Sequence, residues 1–349
     1  MQYRQLGKTE IKASVIGLGT YPIGGWMWGG TDEADSIRTI QASLDHGINL
    51  IDTAPMYGYG LAEEIVGKAI QGRRDQAIIA TKCGIVWDTA DWPSGQGELH
   101  FYADEKGLTA EKTKYSFYRY LKPESIIREV ETSLKRLGTD YIDLLQTHAQ
   151  ENTTPIEETM AALEKLREQG KIRAIGSSNI TSDQLTRYCQ AGQLDSTQER
   201  FSYIDWLSEE NGVLGTCRTN RVSFIAYSPL EHGLLTGTLD PKFDYPDGDF
   251  RKTDARFSSN NVAKINTMLA KLQPLADRHG FSISQLMLAW TVSGYEQMHI
   301  ISGMRNIREV GENARAGDTI LTTEEMQEIE TIVDRSLLAV DVPQVYYSS

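Results

Sequence analysis

The chain has 349 residues, 40% of them hydrophobic, and a formal net charge of −13. That acidic balance argues against nucleic acid or an anionic membrane surface as a partner, since either would draw on a basic face. Cys83, Cys189 and Cys217 lack metal-ligand spacing and make no disulfide framework; no apolar run reaches the roughly 20 residues of a membrane helix.

The start, MQYRQLGKTE, has no apolar signal core, so the expectation is a soluble cytoplasmic protein. Tyr3–Ser14 reads as a hairpin of two short strands around a Gly7-Lys8 turn. After it, apolar or β-branched runs alternate with amphipathic helical runs. Val15–Gly19 precedes a helix at Glu33–His46, and Asn49–Asp52 precedes one at Ala62–Ile70. Ala77–Lys82 is a strand whose helix, Pro123–Leu137, comes after a long insertion. Tyr141–His148 leads to Ile156–Gln169, Ile172–Ser177 to Thr181–Ala191, and Thr197–Phe201 to Leu207–Thr219. Val222–Ser228 leads to a helix pair at Val262–Arg278 and Ser284–Val292, and His299–Ser302 to Ile307–Ala314.

Eight strand-then-helix units in this order predict an α/β fold, a closed (β/α)8 TIM barrel with an N-terminal β-hairpin. No Pro- or Ser-rich linker interrupts them, so residues 1–349 read as one domain. Two loops exceed plain connectors, Trp87–Lys122 after the third strand and Thr238–Asn260 after the seventh. Both fall on the rim at the C-terminal ends of the strands, where barrel active sites lie.

Asp52, Lys82 and His148 each close an apolar strand, in Leu50-Ile-Asp52, Ile78–Lys82 and Ile142–His148, and Tyr57 lies just past the first of these. Any one alone reads as a cap or turn residue. Together, at the mouth of a barrel, they suit proton transfer. A phenol titrates near 10, too weak an acid at neutral pH, but a cation about 4 Å away favours its ionised form by up to ~4 kcal/mol. Lys82 would supply that field with Asp52 holding it charged, and His148 would donate to a substrate oxygen. The group holds no nucleophile and no metal site and suits a reaction whose electrons come from elsewhere, with a nicotinamide as the expected source. Gly17-Leu-Gly-Thr-Tyr-Pro22 is not a dinucleotide fingerprint; it reads as a strand-end turn that lets a ligand approach the backbone.

The stretches GLGTYPIGG, GINLIDTAPMYGYGLAEEIVGKAI, IATKCG, LGTDYIDLLQTH, GKIRAIGSSN, AYSPLEHGLLTG and ISGMRNIREVGEN occur in this order along nearly the whole chain. With them the sequence resembles the aldo-keto reductases, closest in TKCGIVW and YSPLE-x-GLLTG to the bacterial sugar- and methylglyoxal-type members. The resemblance implies a tetrad of Tyr57 as general acid with Asp52, Lys82 and His148. It implies that Ser178 and Asn179, helped by Gln198, bind the nicotinamide carboxamide and that Tyr227 stacks on its ring. Ser228, Pro229, Leu230, Gly233, Leu234 and Thr236 would run beneath the pyrophosphate, and Gly19, Thr20 and Asp52 would touch the cofactor side. Gly303, Arg305, Glu309, Glu312 and Asn313 would meet the adenosine end. The cofactor is NADP(H) or NAD(H): Glu309 would accept from a ribose hydroxyl and repel a 2′-phosphate, an effect Arg305 or Arg308 would offset.

On the substrate side, Tyr21, Trp26, Met27 and Trp28 follow the first strand, and Trp87 and Trp92 the third. Trp26 and Trp87 are the leading candidates for a pocket wall, and packing of the long loops is the competing role. The segment HFYADEKGLTAEKTKYSFYRYLK is open to ordering over substrate, contacting a neighbouring subunit in a homo-oligomer, or acting as a lid. The C-terminal VPQVYYSS is a further candidate for the rim. The function expected is hydride transfer between a nicotinamide and the carbonyl or hemiacetal carbon of a small aldehyde, ketone or sugar. The alternative is a nicotinamide-binding regulatory subunit like the potassium-channel β subunits, which the resemblance also covers.

Overall fold

The computed structural model describes residues 1–26, 32–88, 96–105, 107–246 and 249–334. Met27, Trp28, Trp92 and the tail VPQVYYSS lie outside the described residues.

β1 (Tyr3–Gln5) and β2 (Lys12–Ser14) form the expected antiparallel hairpin. β3 (Ile16–Gly19), α1 (Glu33–Asp45), β4 (Leu50–Asp52), α2 (Leu61–Ala69) and β5 (Ile78–Cys83) follow. Next come β6 (Ile85–Trp87), β7 (Glu98–Asp104), β8 (Gly107–Thr109) and β9 (Tyr115–Arg119), then α3 (Pro123–Leu137). The alternation resumes with β10 (Ile142–Thr147), α4 (Ile156–Glu168), β11 (Ile172–Ser178), α5 (Ser182–Ala191) and β12 (Ser196–Arg200). After α6 (Leu207–Glu210), α7 (Val213–Asn220) and β13 (Ser223–Tyr227) lie α8 (Ser259–Ala270), α9 (Gln273–His279) and α10 (Ile283–Ser293). β14 (Met298–Gly303), α11 (Ile307–Ala316) and α12 (Thr323–Glu330) complete the described chain.

β3, β4, β5, β10, β11, β12, β13 and β14 pair in parallel, each with the next, and close into a barrel. The period-two alternation of strand side chains sorts the barrel into layers. Leu50, Ala80, Leu144, Ala174, Ile225 and Ile301 form an apolar interior cluster, joined from below by Leu6, Ile11 and Ala13 of the hairpin region, which plugs the floor. Two residues further along β4, β5 and β10, the next inward positions are Asp52, Lys82 and Gln146. In β11 that position is Gly176, where a Cβ would meet Gln146 Cγ at 2.7 Å and Ser196 Oγ at 2.6 Å, so only glycine leaves room for the polar layer.

The outward strand residues pack against the helices in the main core. α3 illustrates why: Ile126, Val130, Ser133 and Leu137 recur three or four residues apart on its buried face, Pro123 opens it, and Gly138 ends it in the left-handed conformation.

Three expectations are corrected. The run Leu207–Thr219 is two helices, α6 and α7, broken before Gly212, whose φ of 83° leaves the helical region. The run Val262–Arg278 is also two, α8 and α9, because Pro274 has no N–H and fits only a first turn. The third is the segment Trp87–Lys122, which is not a loop. β6, β9, β7 and β8 form a four-stranded antiparallel sheet standing on the rim above β5.

Candidate active site

β4 ends in Asp52, and the chain then turns through Pro55 and Gly58 to present Tyr57 back over the barrel mouth. That turn is pinned by contact of two backbones: a Cβ on Gly58 would lie 2.2 Å from Gly24 O, and one on Gly24 2.7 Å from Tyr57 C. Tyr57 is thereby held against the segment following β3, with Tyr21 edge-on to its ring at 5.0 Å. β5 lifts Lys82 from below, and His148 follows the last residue of β10, its ring 6.0 Å from that of Tyr57.

The Lys82 ammonium has three hydrogens, and all three are placed. Nζ donates to Asp52 Oδ2 at 2.7 Å, to Thr53 O at 3.0 Å and to the Tyr57 hydroxyl at 3.1 Å. Asp52 Oδ1 accepts from Gln198 Nε2 at 2.7 Å and Gln146 Nε2 at 3.2 Å. Asp52 and Lys82 are each 1% exposed, so this is a buried ion pair whose remaining polar atoms are satisfied, as such a pair requires. Burial pulls the Lys82 pKa below its ordinary value, and the adjacent Asp52 carboxylate opposes that pull. Burial, reinforced by the positive Lys82 and by His100, holds His148 well below the usual histidine range. Its imidazole is therefore neutral near pH 7, with one N–H to donate.

The residues expected around a nicotinamide carboxamide stand together. Tyr227 OH donates to Asn179 Oδ1 (2.9 Å), and Asn179 Nδ2 donates to His148 O (2.9 Å) and Ser178 Oγ (3.0 Å). Ser178 Oγ donates to Gln198 O at 2.7 Å. Asn179 holds this position in the left-handed region, φ 55°. Beyond β13, Ser228 (φ 54°), Pro229 and Leu230 lead into a 3-10 turn, Glu231–Thr236, carrying Gly233, Leu234 and Thr236. The Leu234 side chain belongs to the main core, which leaves only its backbone for a ligand. Gly19 ends β3 and Thr20 follows it, with Thr20 N donating to Asp52 O. At the far end, Glu309 accepts from Arg305 N and Asn306 Nδ2, both at 2.9 Å, Arg308 pairs with Glu312, and Asn313 Nδ2 donates to Ser302 Oγ beside Gly303.

Trp26 is 6% exposed, its ring beside the stacked pair Phe101 and Phe117 and its Nε1 donating to Asp104 O at 2.9 Å. Trp87, half-buried, packs on Phe117 and Tyr59. Both belong to the aromatic cluster that seats the inserted sheet on the rim. Gln146, which the sequence does not single out, joins the site through the register of β10 on β5, which sets it opposite Lys82.

Residues 15–334 match the model of the aldo/keto reductase family. The chain belongs to that family. It is 42% identical over 317 residues to the NADH-specific methylglyoxal reductase of Escherichia coli (strain K12), covering 89% of this chain and 92% of that protein. It is 37% identical over 340 residues to the aldo-keto reductase YhdN of Bacillus subtilis (strain 168), covering 97% and 95%. The glycerol dehydrogenase of Gluconobacter oxydans superposes with a TM-score of 0.82 at 32% identity, covering 95% and 94%. As an aldo/keto reductase the chain is an oxidoreductase of carbonyl compounds, and its cofactor is a nicotinamide dinucleotide, NAD(H) or NADP(H). The residues present fit that group: Thr20 Oγ1 is fully buried beside Asp52 without a partner, and amide and hydroxyl groups of Ser178, Asn179, Gln198 and Tyr227 converge next to it around the barrel mouth. Among the described residues, no helix is long and apolar enough to cross a membrane, and no cluster of His, Cys, Asp or Glu could hold a metal ion.

Proposed function

We propose that the protein interconverts a small aldehyde, ketone or sugar hemiacetal with its alcohol or lactone, using Tyr57 as the proton donor and acceptor. The observation that carries this reading is the third hydrogen of Lys82. Two of its hydrogens are anchored on Asp52 and Thr53, and the remaining one points at the phenolic oxygen at 3.1 Å. A phenol that accepts from an ammonium is the stronger acid for it, and the phenolate left after proton transfer is stabilised by the cation.

Neutral His148 donates its N–H to the carbonyl oxygen, so two donors converge where negative charge develops. Ser178, Asn179 and Gln198 hold the nicotinamide carboxamide, Tyr227 covers its ring, and the backbone from Ser228 to Thr236 binds the diphosphate. When bound, the dinucleotide supplies or takes up the hydride. For the adenosine end we propose a preference for NAD(H). The acidic Glu309, at the start of α11, would repel a 2′-phosphate bound there, and the E. coli relative is named as NADH-specific.

The test is direct titration of NADH and NADPH, then a panel of small aldehydes, ketones and sugars with loss of reduced nicotinamide as the readout. Turnover with at least one class is expected, with NADH favoured. Tight dinucleotide binding without turnover across the panel would favour the regulatory-subunit reading instead.

A further inference from the structure

Gln146 of β10 is fully buried and links β4 to β12 through the polar layer. Its Nε2 donates to Asp52 Oδ1 at 3.2 Å, and its Oε1 accepts from Gln198 Nε2 at 3.3 Å. β11 lies between β10 and β12, and the bare Gly176 lets the side chain cross it. Gln198 Nε2 donates to Asp52 Oδ1 as well, at 2.7 Å. A carboxylate has only lone pairs to offer, so each amide must turn its NH2 toward Asp52. The three side chains therefore form a ring with one consistent set of donors and acceptors. A primary amide has two hydrogens, and in Gln198 Asp52 takes one and Gln146 the other. What remains is Gln198 Oε1, which accepts from no group among the described residues and is not closed to solvent. Ser178, its neighbour across the β11–β12 pairing, and Asn179 stand beside it.

We propose that Gln146 is a positioning residue for the cofactor: by holding the second hydrogen of the Gln198 amide, it leaves Gln198 an acceptor only. Such an acceptor selects a nicotinamide ring whose substituent has an N–H to give. The proposal rests on the reading above that Gln198 meets the carboxamide. Gln146 acts through Gln198 and Asp52. Held at two points, the Gln198 amide keeps one orientation. Held by Asp52 alone, it turns about that bond and its oxygen leaves the carboxamide. A dinucleotide with a methyl ketone in place of the carboxamide keeps the carbonyl and lacks the N–H. Once bound it leaves Gln198 Oε1 covered and unpaired, and a site built around such an atom rejects the analogue that cannot satisfy it.

The test titrates NADH and its reduced acetylpyridine analogue, which carries that methyl ketone, into the wild type, Gln146→Met and Gln146→Leu. Both substitutions keep a buried side chain of similar size and remove the amide. Binding is read by calorimetry, so differences in hydride transfer do not enter. The wild type is expected to bind NADH about tenfold more tightly than the analogue, or better. In the variants that ratio is expected to fall by about threefold or more, through weaker NADH binding, with affinity for the analogue kept within about twofold. An unchanged ratio, or a parallel loss of both dinucleotides, overturns the proposal alone, because a merely loosened site weakens the two alike. A wild type that binds the two equally, a result that needs no variant, refutes the carboxamide reading and this proposal with it.

Discussion

At the scale of single residues, the site rests on an ammonium whose charge survives burial because Asp52 faces it. On the proposed mechanism reduction needs that charge, and burial lowers the pH at which it is lost. Carbonyl reduction should therefore fall as pH rises through a value below lysine's ordinary 10.5. Asp52→Asn removes the opposing carboxylate and should move that limb further down; a limb that stays in place in the variant would detach Asp52 from the role given to it. His148, already neutral, should contribute no step near 6.5. At the adenosine end, Glu309→Arg replaces repulsion of a 2′-phosphate with attraction. The kcat/KM ratio for NADPH over NADH is expected to rise about 5- to 10-fold, as one charge reversal at a partly exposed site allows. An unmoved ratio would remove Glu309 from cofactor choice. The cluster was legible because Asp52, Lys82 and His148 each close an apolar run and Tyr57 lies just past the first of them. Gln146 was not, since a polar residue one position inside a strand end looks like any turn residue until the barrel's registers are known.

Among elements, most barrel strands were legible because they are local apolar or β-branched runs followed, directly or after an insertion, by a helix. The insertion was not. Its strands β7 and β9 are mixed in polarity, one carries a bulge, and their pairing spans residues far apart in sequence, so no local period announces them. What fixes this sheet to the barrel is also non-local. Arg119 Nη2 donates to Glu98 Oε1 at 2.8 Å, and Glu98 Oε2 accepts from Asn152 N and Nδ2 in the segment following β10. Glu98→Ala cuts that tie. The amides of β7 and β9 should then exchange with solvent at least about tenfold faster, while those of β10 stay protected. Unchanged exchange in β7 and β9 would mean that the aromatic cluster around Trp26 and Phe117 holds the sheet without help.

For the whole molecule, chemistry and stability occupy opposite ends of the barrel: the hairpin plugs the floor and the polar layer opens at the top. Buried acids behind the strands couple stability to pH. Glu129, which accepts from Gly84 N and Ser125 Oγ, is pushed by burial up to about 8 from 4.5. Between those values the folded state holds a proton that the unfolded chain has released, so stability is lost as pH rises from 4.5 to about 8. Glu129→Gln cannot release it, and its stability relative to the wild type should climb through that interval; a constant difference would contradict the assignment. The central claim concerns the other end, where the phenol next to Lys82 is the proton source. The most direct measurement is Tyr57→Phe at saturating cofactor, with dinucleotide affinity and turnover of one carbonyl recorded on the same preparation. Affinity within about twofold of wild type and turnover lower by about 10²-fold or more is the predicted result. Turnover close to that of the wild type would contradict it.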